Sequence, residues 1–152
     1  MSNNNSSKER WYYDACALDE GKNTYAEIIN KNFPKTALIS YLSLGEAYGN
    51  CYKKSKTKAE ALLELIEKLR NYIEIVDNDG IEDIFEEIQD EFDTNRLSIT
   101  DSIHLATAIF HKCDILRTAD RDLYGLDPRK ILKLSENFDL KRFKITKIGI
   151  KR

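Results

Sequence analysis

Short apolar runs alternate with helical periods along most of the chain. Arg10–Ala15 carries Trp11, Tyr12 and Tyr13 ahead of Asp14 and reads as a first strand. Thr24-x-x-Glu27 has the form of a capping box and predicts a short helix ending before Pro34. Thr36–Ser40 is a second strand. Ser43-x-x-Glu46 predicts the start of the next helix, with Leu44, Tyr48 and Cys51 as its apolar stripe. Thr57-x-x-Glu60 predicts a longer helix that buries Ala61, Leu62, Leu65, Ile66 and Leu69. Tyr72–Val76 alternates and is a third strand. Asp79-x-x-Glu82 starts a helix with Ile81, Ile84, Phe85, Ile88 and Phe92 on one face. Ser98–His111 is a further helix and Asp114–Arg117 a fourth strand. A last strand is predicted near Ile131–Leu134, and Phe143–Ile150 is able to add an extended segment. Strands alternating with helices predict an α/β fold, a parallel sheet covered on both faces.

The length of 152 residues fits one domain with a tail or two. Such a chain buries enough surface to fold without disulfides or a structural metal. Residues 1–9 are expected to be disordered, because Ser2–Lys8 is polar and low in hydrophobicity. Residues 10–140 are expected to form the folded domain, and 141–152 a basic tail that can supply an added strand. Apolar runs of a few residues fall far short of the ~20 that span a bilayer, so no membrane role is expected. The polar start lacks the apolar stretch of a signal peptide. Cys16, Cys51 and Cys113 are odd in number and form no Cys-x-x-Cys pair, which suits reduced thiols in the cytoplasm.

Mapping the charge changes the picture that a net −2 gives. Glu74 to Asp93 holds ten of the 26 acids and no Lys or Arg, so the rest sets 24 basic residues against 16 acidic ones, or +8. The ten acids are the wet face of one amphipathic helix. Lys53, Lys54, Lys56 and Lys58 cluster, and Lys141, Arg142, Lys144, Lys147, Lys151 and Arg152 make the tail basic. A polyanionic partner such as nucleic acid is compatible with this, as is a set of solvated faces.

In open α/β sheets the ligand crevice lies beyond the carboxyl ends of the strands. Four acids fall there: Asp14 after the first strand, Glu46 in the helix after the second, Asp101 in the first turn of its helix, and Asp120 after the fourth strand. Each has an ordinary alternative. Asp14 and Asp120 can be helix caps, Glu46 can close its capping box, and Asp122 can be a surface acid. Asp101 is harder to explain away. It shares a helical stripe with Leu105 and Ala108, and a carboxylate against a core needs a cation or donors. A hard divalent cation, Mg²⁺ or Mn²⁺, satisfies such a set and activates phosphodiester hydrolysis. His104 and His111 lie about 10.5 Å apart along a helix, too far to share one zinc, so a core or surface role is expected for both. Neither a Gly-rich phosphate loop nor a Gly-x-Ser-x-Gly elbow occurs.

Four segments together resemble the PIN-domain nucleases, most closely the VapC-type toxins of toxin–antitoxin pairs. They are Tyr12-Tyr13-Asp14-Ala15-Cys16, the run Leu38 to Glu46 with Ser40 and Ser43, the run Thr100 to Ala108, and Leu116-Arg117-Thr118-Ala119-Asp120-Arg121-Asp122-Leu123. The resemblance spans roughly Trp11 to Leu134, in family order. It implies a PIN-like α/β/α sandwich with a central parallel sheet of four to five strands, and a Mg²⁺- or Mn²⁺-dependent ribonuclease. It maps the metal-binding and catalytic acids onto Asp14, Glu46, Asp101 and Asp120, with Asp122 as a fifth metal ligand and Thr118 as a supporting hydroxyl. It further implies an RNA substrate, a cognate antitoxin and a homodimer, for which Phe33, Tyr41, Tyr48 and Tyr52 offer aromatic surface. An RNA-processing nuclease without an antitoxin and a catalytically silent binding module are the alternatives. The chain departs from the family at Ala15 and Cys16, where polar Thr, Ser or Asn commonly follow the first Asp.

Overall fold

Every strand is four to six residues long, and neighbouring residues within a strand face opposite layers. A computed structural model describes residues 8–92 and 97–148. Its elements run β1 (Glu9–Tyr13), α1 (Ala15–Asp19), α2 (Lys22–Ile29), β2 (Lys35–Ser40), α3 (Tyr41–Lys54), α4 (Lys56–Lys68) and β3 (Ile73–Val76). They continue through α5 (Glu82–Glu91), α6 (Ile99–Phe110), β4 (Ile115–Thr118), α7 (Arg121–Tyr124), α8 (Pro128–Glu136) and β5 (Lys144–Lys147). The strands form one parallel sheet in the order β3-β2-β1-β4-β5. This is the α/β/α sandwich that the sequence predicts.

Period-two alternation sorts the core into two layers. Tyr12, Leu38 and Leu116 pack with α5, α6 and α8 on one face. Tyr13, Ala37 and Ile39 pack with α1 to α4 on the other. The chain runs outward from β1 through β2 to β3, then returns to β4 on the far side of β1. That reversal opens a crevice at the carboxyl ends of β1 and β4.

Several sequence expectations are corrected. Ile131–Leu134 is not a strand but lies in α8, because Asp127 caps that helix, Pro128 sits in its first turn, and Ile131 and Leu134 bury one side at i, i+3. The fifth strand is Lys144–Lys147, parallel to β4 and anchored by buried Phe143 and Ile148 on either side. Thr24 does not cap α2; it lies within the helix and its hydroxyl donates to the Ala17 carbonyl. The cap of α3 is Ser40 in a reciprocal box with Ser43, and the cap of α4 is Ser55. Glu46 therefore closes no box. Asp79 is followed by Gly80 at φ +80, and α5 begins only after Ile81. Of the ten acids expected on one helix, only the six from Glu82 to Glu91 therefore lie in it, while Glu74 is in β3 and Asp77 and Asp79 precede the helix. A side chain at Gly80 would meet Phe110 Cζ at 2.9 Å, so the turn into α5 needs glycine both for its backbone and for its space.

Residues 1–7 of the expected disordered segment, Asp93 of the acidic run, and Lys151 and Arg152 of the basic tail lie outside the described residues. Glu9 belongs to β1 and pairs with Lys35.

Candidate active site

Asp14, Glu46, Asp101, Asp120 and Asp122 all line one cavity of about 310 Å³ at the carboxyl edge of the sheet. Among the described residues that line it there is no Lys or Arg. Ala15, Cys16, Asn50, Ser98, Thr100 and His104 complete the wall.

Asp14 lies deepest, 1% exposed. Its Oδ1 accepts the Ala17 amide at 2.9 Å and so caps α1, while its Oδ2 accepts the Thr118 hydroxyl at 2.6 Å. It is a helix cap and a site residue together. Burial raises its pKa above the ordinary carboxylate value, and the Thr118 bond opposes that rise. Thr118 ends β4, and its oxygen also accepts the Asp120 amide at 2.9 Å. One hydroxyl thereby sets both the deep acid and the loop that carries the next. Asp120 caps α7 by accepting the Asp122 amide at 2.9 Å.

Asp101 stands in the first turn of α6, whose cap Ser98 accepts the Asp101 amide at 3.1 Å. One carboxylate oxygen each from Asp101, Asp120 and Asp122 lies within 4.8 Å of the others. Burial and the nearby Asp120 charge push the Asp101 carboxyl up to about 6. Crowding like charges is costly without a cation. The donor set is all oxygen, acidic and uncompensated, which fits Mg²⁺ or Mn²⁺.

Glu46 lies in the second turn of α3, further along the helix than its expected capping role would put it. Its Oε1 meets His104 Nε2 at 2.7 Å, and that bond holds the carboxyl below its ordinary value. His104 is 2% exposed, and its Nδ1 meets the Tyr12 hydroxyl at 2.7 Å. The sequence predicts a core or surface role for His104. It is buried, yet it touches a candidate site acid. The overlooked signal was its spacing, three residues beyond Asp101 on the same face of α6. His111 lies elsewhere, with Nε2 3.3 Å from the Asp77 carbonyl. Cys16 lines the cavity with its thiol pushed up to about 12 by burial and then by Asp14 and Asp120, so it stays protonated.

No curated protein matches the chain by sequence. Two solved structures share its fold at 17% identity. One is a chain of the crystal structure of VapBC2 from Rickettsia felis bound to a DNA fragment from their promoter, with a TM-score of 0.59 over 92% of this chain and 99% of that one. The other is PAE2754 from Pyrobaculum aerophilum, with a TM-score of 0.56 over 84% and 96%. The family model described as PIN domain matches residues 11–127.

Proposed function

The chain belongs to the PIN-domain family, a family of nucleases, and from that premise we propose that it is a Mg²⁺- or Mn²⁺-dependent endoribonuclease. The observation that carries the reading is the cavity wall of five carboxylates without a Lys or Arg among its described residues. Asp101, Asp120 and Asp122 are the acids whose oxygens stand close enough to share one ion, with Asp14 beneath them. Bound there, the ion supplies Lewis-acid polarisation of a phosphoryl oxygen and an acidified water. Thr118 orients Asp14 and the Asp120 loop. Glu46, kept ionised by His104, is assigned the role of taking the proton of the attacking water, a reading supported by its place in the cavity wall. Ser98 and Thr100 put hydroxyls on the rim, where they suit a phosphate or a ribose 2′-OH. The choice of RNA rests on the motif resemblance.

A cognate antitoxin partner and a role as the toxin of such a pair are part of the proposal; they are supported by the motifs and by the VapBC2 fold neighbour. Phe33, Tyr41 and Tyr52, each more than half exposed, are offered as surface for a homodimer, which at standard size buries about 1,600 Å² in total. Free Cys16, Cys51 and Cys113 suit a cytoplasmic setting, and no described helix is long and apolar enough to cross a membrane. Cleavage of RNA by the purified chain in Mg²⁺ or Mn²⁺, abolished by chelation, is the expected result. Absence of cleavage with either ion sinks the enzyme reading and leaves a binding module. Co-expression of the product of an adjacent reading frame should relieve growth arrest caused by the chain, and no relief counts against the antitoxin.

A further inference from the structure

The Glu46–His104 contact continues as a buried line of hydrogen bonds whose direction follows from whether the His104 ring is neutral or charged. An ionised carboxylate only accepts, so the proton between Glu46 Oε1 and His104 Nε2, 2.7 Å apart, belongs to the histidine. In the neutral ring Nδ1 then carries a lone pair and must accept, and the Tyr12 hydroxyl stands 2.7 Å from it. The Tyr12 oxygen in turn needs a donor. Ser43 is unavailable, since its hydroxyl donates to the Tyr13 carbonyl at 3.0 Å. Ser40 lies 2.7 Å from Tyr12, and its own oxygen accepts the Ser43 amide at 3.2 Å. With a neutral ring the order is Ser40 to Tyr12 to His104 to Glu46, with every donor matched. With a charged ring Nδ1–H donates to Tyr12, Tyr12 to Ser40, and Ser40 to Ser43 Oγ at 3.2 Å. Tyr12 and Ser40 are fully buried and His104 nearly so, which removes water as an alternative partner.

Resting on the nuclease reading of this cavity, we propose that Tyr12 and His104 are positioning residues that fix Glu46 by tautomer. Tyr12 holds His104 as the Nε2–H form, and that N–H pins Oε1 of Glu46. Oε2 is then the only oxygen Glu46 has to offer the cavity it lines. The opposite tautomer would turn a bare Nε2 lone pair toward the carboxylate and drive it away. Because strand β1 carries Tyr12 and helix α3 carries Glu46, the line sets the height of α3 against the sheet at the site.

The test combines a readout on the metal-free protein with one on the loaded enzyme. Nitrogen NMR of metal-free protein should show His104 protonated at Nε2 and bare at Nδ1. In Tyr12→Phe a mixture with the Nδ1–H form should appear. His104→Leu should weaken Mn²⁺ binding and lower kcat about tenfold or more, with KM for RNA within about twofold of wild type. His104→Gln, whose amide can donate to Glu46 and accept from Tyr12, should recover most of both. A proton found on Nδ1 of the wild type overturns the proposal, and so does a folded Gln variant as impaired as the Leu variant. A wild type that cleaves no RNA with either metal defeats the nuclease reading instead, while the tautomer measurement still decides the hydrogen-bond order.

Discussion

Tyr12 and Tyr13 are neighbours in β1, both fully buried, and their hydroxyls lead to two very different groups of polar residues. Tyr13 donates to Glu27 Oε2 at 2.7 Å. There the same carboxylate receives Arg117 through both Nε and Nη2, while Arg117 Nη1 also reaches Thr146 Oγ1 and the Lys147 carbonyl, each at 2.9 Å. Charge is matched, and four of the five guanidinium N–H groups are used. Tyr12, on the other layer, leads through His104 to a cavity of five acids with no Lys or Arg among the described residues of its wall. Strand β4 repeats the division, since Arg117 serves the closed cluster and its neighbour Thr118 serves Asp14 in the open one. A cluster that carries its own countercharge ties strands together. One that lacks it waits for a charge from outside, and the lack is a mark of function.

The sharpest way to break this contrast is to remove the closed cluster's cation. Arg117→Ala leaves Glu27 largely buried and unpaired, and should cost about 3 kcal/mol in denaturant unfolding, with added metal still stabilising the variant. A loss below about 1 kcal/mol would show that the pair is not holding β4 to α2. In the open cluster, removing charge should act oppositely on stability and severely on activity. Asp101→Asn should cut RNA cleavage at least about a hundredfold, or about 2.7 kcal/mol in the barrier, while the metal-free melting temperature stays level or rises. Added Mg²⁺ or Mn²⁺ should stabilise the wild type and not this variant. The sign follows from the carboxyl raised from 3.8 to about 6. Below the lower value Asp101 is protonated in both folded and unfolded chains, and above the higher value only the folded chain bears its crowding. Metal-free stability due to Asp101 thus falls as pH rises through that window, and the Asn variant's advantage should grow over the same window. Equal pH profiles for the two proteins would contradict it.

Thr118→Val keeps the shape but removes the donor to Asp14 and the acceptor for the Asp120 amide. Calorimetry should show a loss of about 2 kcal/mol, together with weaker Mn²⁺ binding. Binding as tight as wild type would mean that Asp14 needs no such support. The smallest effect belongs to a solvent pair that is neither kind of cluster. Arg70 and Glu67 meet at 3.6 Å with about two thirds or more of each side chain exposed. Arg70→Ala should change stability by less than about 0.5 kcal/mol.

Much of this was readable from the residues. The alternation of short apolar runs with helices placed four of the five strands. Burial gives β1, β2 and β4 a strong apolar signature, and the edge strand β3 still carries Ile73, Ile75 and Val76. The fifth is expected first at Ile131–Leu134 and only as an addition at Phe143–Ile150: Lys144–Lys147 carries two lysines, and its anchors Phe143 and Ile148 lie just outside it. Ile131–Leu134 misled because Ile-Leu-Lys-Leu suits either period, and Asp127-Pro128 decided for helix. Each misplaced cap involved a Ser/Thr-x-x-Glu or Asp-x-x-Glu pattern whose backbone found another partner. The acids at strand ends stood out because a carboxylate beside apolar neighbours is unusual. The closed cluster did not stand out, since Glu27 and Arg117 are 90 residues apart and neither sits in a motif. His104 was passed over because its partners Tyr12 and Glu46 come from two other elements.

The bond from Thr118 to Asp14 spans 104 residues, and that distance is also a delay. Chains are made from the amino end at roughly 5–20 residues per second. Asp14 therefore exists for about 5–20 s before its partner hydroxyl has been added, and Asp101 and Asp120 come in the same late stretch. Before Asp101 is added the new chain has Asp14 and Glu46 but none of the three acids that crowd together. A nascent chain on a ribosome, surrounded by RNA, thus cannot assemble the carboxylate cavity until Asp122 has been made.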